Sequence, residues 1–201
     1  MLTLFHTAES NIGVFETAAK AAGYPGPLRH VLRDDLLKAA EAAGGLTDSI
    51  RAEVRDAIRA EAGGRLVCTC STIGPGADDA AAEGLNVRRV DRALAEQALA
   101  AGPRIAVVYA VATTEGPTRD LFETVAREVC PDARIDMVLA EGAWERFRAG
   151  DAEGYFDRIA ATVAELDPDC DAVALAQASM APAAARCDRK VLTSPGAIFG
   201  A

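Results

Sequence analysis

Apolar positions along the chain switch between short continuous runs and a helical spacing, the mark of strands alternating with helices. An apolar run at 2–5 leads into helical spacing over 11–22 through Val14, Ala18 and Ala22, which stops at Gly23. A second strand is predicted over 28–32, then a helix over 34–43 closed by Gly44-Gly45. Thr47-Asp48-Ser49 is an N-cap cluster for a helix through Ile50, Val54, Ile58 and Ala62, closed by Gly63-Gly64. Strands at 65–69 and 86–90 flank a helix begun by Pro75, and Asp91 caps a helix over 93–100.

After Gly102-Pro103 the rhythm restarts. The unbroken apolar run 105–111 reads as a central parallel strand, buried on both faces. A helix over 114–130 carries Pro117 in its first turn. Further strands are predicted at 135–139, 171–176 and 190–192, and helices at 143–148, 152–166 and 179–185. This alternation is an α/β fold with mainly parallel sheets flanked by helices.

Two stretches echo each other. Cys70, Thr72 and Pro75 recur as Gln177, Ser179 and Pro182, each 107 residues on, and His6-Thr7 lies 107 residues before Thr113-Thr114. The chain therefore reads as two pseudo-symmetric lobes with an active cleft between them. Residues 1–100 form the first lobe, rejoined by 188–201, and 101–187 form the second. Ligands of open α/β sheets bind beyond the carboxyl ends of the strands. His6, Thr7, Cys70, Ser71, Thr72, Thr113, Thr114, Gln177, Ala178 and Ser179 all stand at such ends.

Composition narrows the chemistry. Half of the 201 residues are hydrophobic, enough for a substantial core. Thirty acidic residues against 21 basic ones give a net charge of −9, which disfavours nucleic acid and anionic membranes as partners. Met1 leads directly into Leu-Thr-Leu-Phe-His with no basic leader, and no stretch approaches the ~20 apolar residues of a membrane span. A cytoplasmic location follows as the expectation. Five cysteines then read as free thiols. Cys68-x-Cys70 has no second ligand pair downstream, so no metal is expected.

Cys70 is the reactive candidate. At the start of a helix, the dipole and free N–H groups favour a thiolate. Those N–H groups, with Ser71, Thr72, Thr114 and Ser179, could hold a carboxylate. Cys68, one strand period away, is either core or the partner of a redox pair. His6 either depresses the Cys70 pKa or polarises a substrate carbonyl, or is a hydrogen-bonded strand-end histidine. Thr7 and Thr113 belong to the same cleft, Gln177 could donate a hydrogen bond to substrate, Thr118 reads as a cap, and His30 carries no assignment.

Val67-Cys68-Thr69-Cys70-Ser71-Thr72 and Ala174-Leu175-Ala176-Gln177-Ala178-Ser179-Met180 together resemble the strand-end motifs of the aspartate/glutamate/hydantoin racemase superfamily. The resemblance implies two α/β lobes, cofactor-independent proton transfer at a small carboxylate or related anion, a homodimer, and a last helix crossing back to the first lobe. It places Cys70 as the first catalytic thiol. Gln177 stands where the second thiol belongs, and an amide is no base near neutral pH. His6 stands where many members carry an acidic residue or another polar group. The pattern therefore favours single-thiol isomerase or decarboxylase chemistry over two-base racemisation. The alternative is a non-catalytic anion-binding or sensor protein. The closing segment 195–201 is short for the expected last helix.

Overall fold

The computed structural model describes residues 1–61 and 63–200, so Ala62 and Ala201 of the sequence reading lie outside the described residues. The first half runs β1 (Leu2–His6), α1 (Ser10–Ala21), β2 (Leu28–Leu32), α2 (Asp34–Ala42), α3 (Asp48–Ala60), β3 (Arg65–Cys68), α4 (Gly74–Ala82), β4 (Val87–Arg89) and α5 (Val90–Ala101). The second half runs β5 (Arg104–Tyr109), α6 (Ala112–Val129), β6 (Arg134–Leu139), α7 (Ala143–Arg148), α8 (Ala152–Ala164), β7 (Ala172–Leu175), a 3₁₀ helix (Ala178–Arg186), β8 (Leu192–Thr193) and α9 (Ser194–Phe199).

Each half builds a four-stranded parallel sheet, in the orders β2-β1-β3-β4 and β6-β5-β7-β8. Both faces of both sheets are covered. Leu2, Leu4 and Val67 pack against Phe15 of α1 and against Ile198 and Phe199 of α9. On the opposite face Phe5, Leu66 and Cys68 meet Leu36, Val54, Ile58 and Ala77 of α2, α3 and α4. In the second sheet Ile105, Val107 and Ala174 pack under Leu94 and Ala98 of α5 and Phe122 and Val125 of α6. Ala106, Val108 and Val173 pack under Tyr155 and Ile159 of α8 and Met180 of the 3₁₀ helix. Each large side chain of this kind contributes about 1.5–3 kcal/mol by leaving water.

These contacts revise the lobe boundary. Although α5 belongs to the first half in sequence, its apolar face lies on the second sheet. Residues 192–193, expected to rejoin the first lobe, instead extend the second sheet beside β7. Only then does α9 cross to cover the first sheet, so the crossing helix is present, over six residues. The helix after the fourth strand of each sheet thus closes the opposite lobe, because each sheet leaves one face short of cover.

The register also revises the repeat. Leu32 and Leu139 pair with His6 and Tyr109 respectively, and Cys68 and Leu175 pair with Phe5 and Val108. The pairs β2/β6 and β3/β7 therefore keep the 107-residue interval, while β1 and β5 are 103 apart. His6 corresponds to Tyr109 and Thr7 to Ala110, not to Thr113 and Thr114. The identical Thr-Thr spacing hid a shift, absorbed by α6 being 18 residues long where α1 has 12.

Two predicted caps also change role. Asp91 lies inside the first turn of α5, its carboxylate gripped by Arg89. Thr118 lies within α6, fully buried, and its hydroxyl has no partner. The helix predicted at 179–185 is 3₁₀ and contains Pro182, whose missing N–H interrupts an α-helical ladder. Among the described residues no helix is long and apolar enough to cross a membrane.

Candidate active site

The carboxyl ends of β1, β3, β5 and β7 meet at a small cleft of about 40 Å³. Thr7, Cys70, Ser71, Thr72, Thr114, Gln177, Ala178 and Ser179 line it together. His6 and Thr113 do not. His6 ends β1 with its ring turned into the core against Phe15, while Thr113 stands behind the wall with its hydroxyl 3.3 Å from Thr72 Oγ1. Asn11, Leu37, Trp144 and Phe147, which the sequence does not mark as site residues, line it as well, as do Ala8, Thr69 and Val111.

The floor joins the lobes. The Ser71 hydroxyl donates to the Ala176 carbonyl at 3.3 Å, and Thr72 Oγ1 lies 3.3 Å from Thr114 Oγ1. Behind the Cys70 turn, buried Arg89 grips Asp91 through two N–H groups at 2.9 and 2.6 Å, and Asp78 at 3.0 Å. It also donates to the Pro117 carbonyl of α6 at 3.0 Å. Gly74, at the start of α4, leaves room for that guanidinium, which occupies the place a Cβ would take. The thiol-bearing turn is therefore fixed to the second lobe by charge as well as by packing.

Cys70 lines the cleft together with Thr7 and Thr72, and the Thr7 side chain and the Ile73 and Thr72 N–H groups act to lower its pKa. Burial nevertheless outweighs these neighbours and raises the thiol above its ordinary pKa. The helix-terminal setting thus does not produce a resting thiolate in the empty cleft. Cys68 points into the core, its thiol donating to the Cys70 carbonyl at 3.6 Å, and burial drives its pKa up strongly.

Gln177 occupies the position equivalent to Cys70. Its Oε1 accepts from the N–H groups of Ala110 and Val111 at 2.7 and 3.0 Å. Backbone N–H groups only donate, so the amide orientation is fixed and the –NH₂ end is left free. Thr7 beside Cys70 and Ala110 beside Gln177 are the equivalent pair that the register predicts. Ser179 Oγ lies 2.9 Å from the Tyr155 hydroxyl. That phenol is buried and its pKa raised, so it is no base for activating the serine. Asn11 is buried in the lining, and its Oδ1 has no partner.

His6 is held down to about 4 by burial and by the neighbouring His30. The Thr69 hydroxyl donates to the Phe5 carbonyl at 3.0 Å, which makes it the acceptor from His6 Nδ1–H at 2.9 Å. His6 Nε2 then accepts from His30 Nδ1–H at 2.9 Å. His6 is neutral at pH 7 and lends no positive charge to Cys70. His30, left unassigned from sequence, is its stacking and hydrogen-bonding partner. Among the described residues no three His, Cys, Asp or Glu side chains cluster closely enough to hold a metal ion.

No protein-family model and no curated protein sequence matches the chain. Solved structures do. A glutamate racemase isoform from Bacillus anthracis superposes with a TM-score of 0.69 at 11% identity, over 99% of this chain and 78% of that one. An aspartate racemase from Picrophilus torridus gives 0.67 at 13%, over 99% and 90%. An allantoin racemase from Pseudomonas fluorescens gives 0.54 at 15%, over 99% and 87%. The chain therefore shares the two-lobed α/β fold of these glutamate, aspartate and allantoin racemases, the fold that the Cys70 and Gln177 turns led one to expect.

Proposed function

We propose that the cleft performs cofactor-independent chemistry on a small carboxylate or carbonyl compound, with Cys70 as its single acid/base group or nucleophile. The observation that carries this reading is a lone thiol in the cleft lining beside Thr7, sharing the cleft with an amide whose oxygen is locked. Gln177 cannot exchange a proton near neutral pH, so a two-base inversion has no second base. Its –NH₂ can donate to a substrate oxygen instead. The first N–H groups of a helix lack intrahelical partners, and those of Ala178 and Ser179 stand at the cleft beside it. Thr7, Thr72 and Thr114 add hydroxyls on the other walls.

Burial keeps the Cys70 thiol protonated, which suits it to act first as an acid. In a decarboxylation the bond to the departing carboxylate breaks and its electron pair is taken up by an adjoining carbonyl group as an enolate. Carbon dioxide leaves, Cys70 S–H delivers its proton to the α-carbon, and water reprotonates the thiolate. A cis–trans isomerisation requires the thiolate to add to an alkene carbon and later depart. The Thr7 hydroxyl and the two N–H groups favour that anion once a substrate excludes water.

Proton exchange followed by NMR in deuterated water tests the reading on a panel of aspartate, glutamate, hydantoins and substituted malonates. Deuterium entering one face without racemisation is expected for a substrate. Cys70→Ser is expected to abolish turnover and retain ligand binding. Turnover that survives Cys70→Ser removes Cys70 from the chemistry. Ligand binding without turnover in the unaltered protein favours the sensor alternative.

A further inference from the structure

Resting on the cleft as the ligand site, we infer that it takes a carboxylic acid whose remaining substituent is uncharged and apolar, and that Trp144 with Phe147 sets this preference. The cleft lining contains no Asp, Glu, Lys, Arg or His. Neutral donors can hold one carboxylate, as helix-terminal N–H groups and hydroxyls do elsewhere. They supply no counter-charge for an ammonium together with a second carboxylate. A charge brought into a buried site without a partner is strongly disfavoured. Aspartate and glutamate bring both of those groups.

What the lining offers instead is an aromatic wall. The Trp144 and Phe147 rings stack with centroids 4.8 Å apart and planes 11° apart. Phe147 is braced from behind by Tyr155, at 5.0 Å, and Tyr155 is fully buried and bonded to Ser179. The wall is therefore held by the second-lobe core. The 107-residue interval that relates β2 to β6 makes Leu37 the counterpart of Trp144, so the facing lobe is apolar there too. A flat apolar substituent placed against these side chains gains both burial and ring contact. A carboxylate held by the donors with its substituent against the rings is also oriented relative to Cys70.

Trp144 is the only tryptophan of the chain, so its fluorescence reports occupancy directly. The test titrates the unaltered protein with phenylacetate, acetate, L-aspartate and L-glutamate, reading Trp144 emission and calorimetric heat. Phenylacetate undergoes no decarboxylation or isomerisation here, so binding is measured apart from any Cys70 chemistry. Phenylacetate is expected to bind at least about tenfold more tightly than the other three. Trp144→Ala, followed by calorimetry, is expected to remove most of that advantage, while Trp144→Phe keeps most of it. Either amino acid binding as tightly as phenylacetate overturns the inference. So does an undiminished preference in Trp144→Ala, or no saturable binding of any of the four. Loss of turnover in Cys70→Ser leaves these outcomes unaffected, so the two readings fail separately.

Discussion

The buried His6–His30 pair makes stability depend on pH in a defined direction. His6 is held at about 4 in the folded protein against an ordinary 6.5, because its ring is buried and faces His30. Between those values the unfolded chain binds more protons than the folded one, so stability falls as pH falls through that window. The penalty is absent above about pH 7 and reaches about 2 kcal/mol at pH ~5 and about 3 kcal/mol at pH ~4. It is a large fraction of the ~5–15 kcal/mol that keeps a typical domain folded. The assay is urea denaturation of the unaltered protein and His6→Gln across this range. Carboxylates protonate in both proteins, so the difference between the two curves isolates the histidine. The difference is expected to narrow by about 3 kcal/mol from neutral pH to pH ~4, because glutamine takes up no proton. Parallel loss of stability in the two proteins would refute the assignment of His6 as a buried neutral base.

Gln177→Ala leaves the Ala110 and Val111 N–H groups without their acceptor. It should lower stability by about 1–3 kcal/mol in chemical denaturation. Arg89→Met strands Asp91 as an uncompensated buried charge and should cost about 3–5 kcal/mol, most of it recovered when Asp91→Leu is added. Equal stability of the single and double variants would contradict that account. Cys70 alkylation followed by mass spectrometry should be slow at neutral pH and accelerate well above the range of an exposed thiol, as its raised pKa requires. A fast neutral reaction would show that the polar neighbours of Cys70 outweigh burial.

The element order was readable because strand and helix periodicities are local, and glycine pairs and N-caps mark the joints. The predicted strand at 105–111 and β5, and the predicted helix at 152–166 and α8, differ only at their ends. The equivalence of Cys70 and Gln177 was also readable, since both turns follow a short buried strand at a fixed interval. Threonine spacing misled at His6-Thr7, because identical residues one helical turn out of register look like a match. Asn11, Leu37, Trp144 and Phe147 gave no signal of their own. Only the 107-residue interval, applied from Leu37 to Trp144, would have drawn attention to one of them.

The sequence by itself determined an α/β chain in two similar halves, with one thiol turn and one amide turn at matching strand ends. These follow from periodicity and spacing, which act over a few residues at a time. Tertiary structure alone decided that α5 and α9 exchange lobes and that Ser71 and Thr72 bind the second half. It also decided that His6 turns into the core toward His30, and that burial leaves Cys70 a protonated thiol. Each depends on which side chains, remote in sequence, share one volume and how much water reaches them. Packing and desolvation are set there, and no local pattern along the chain encodes them.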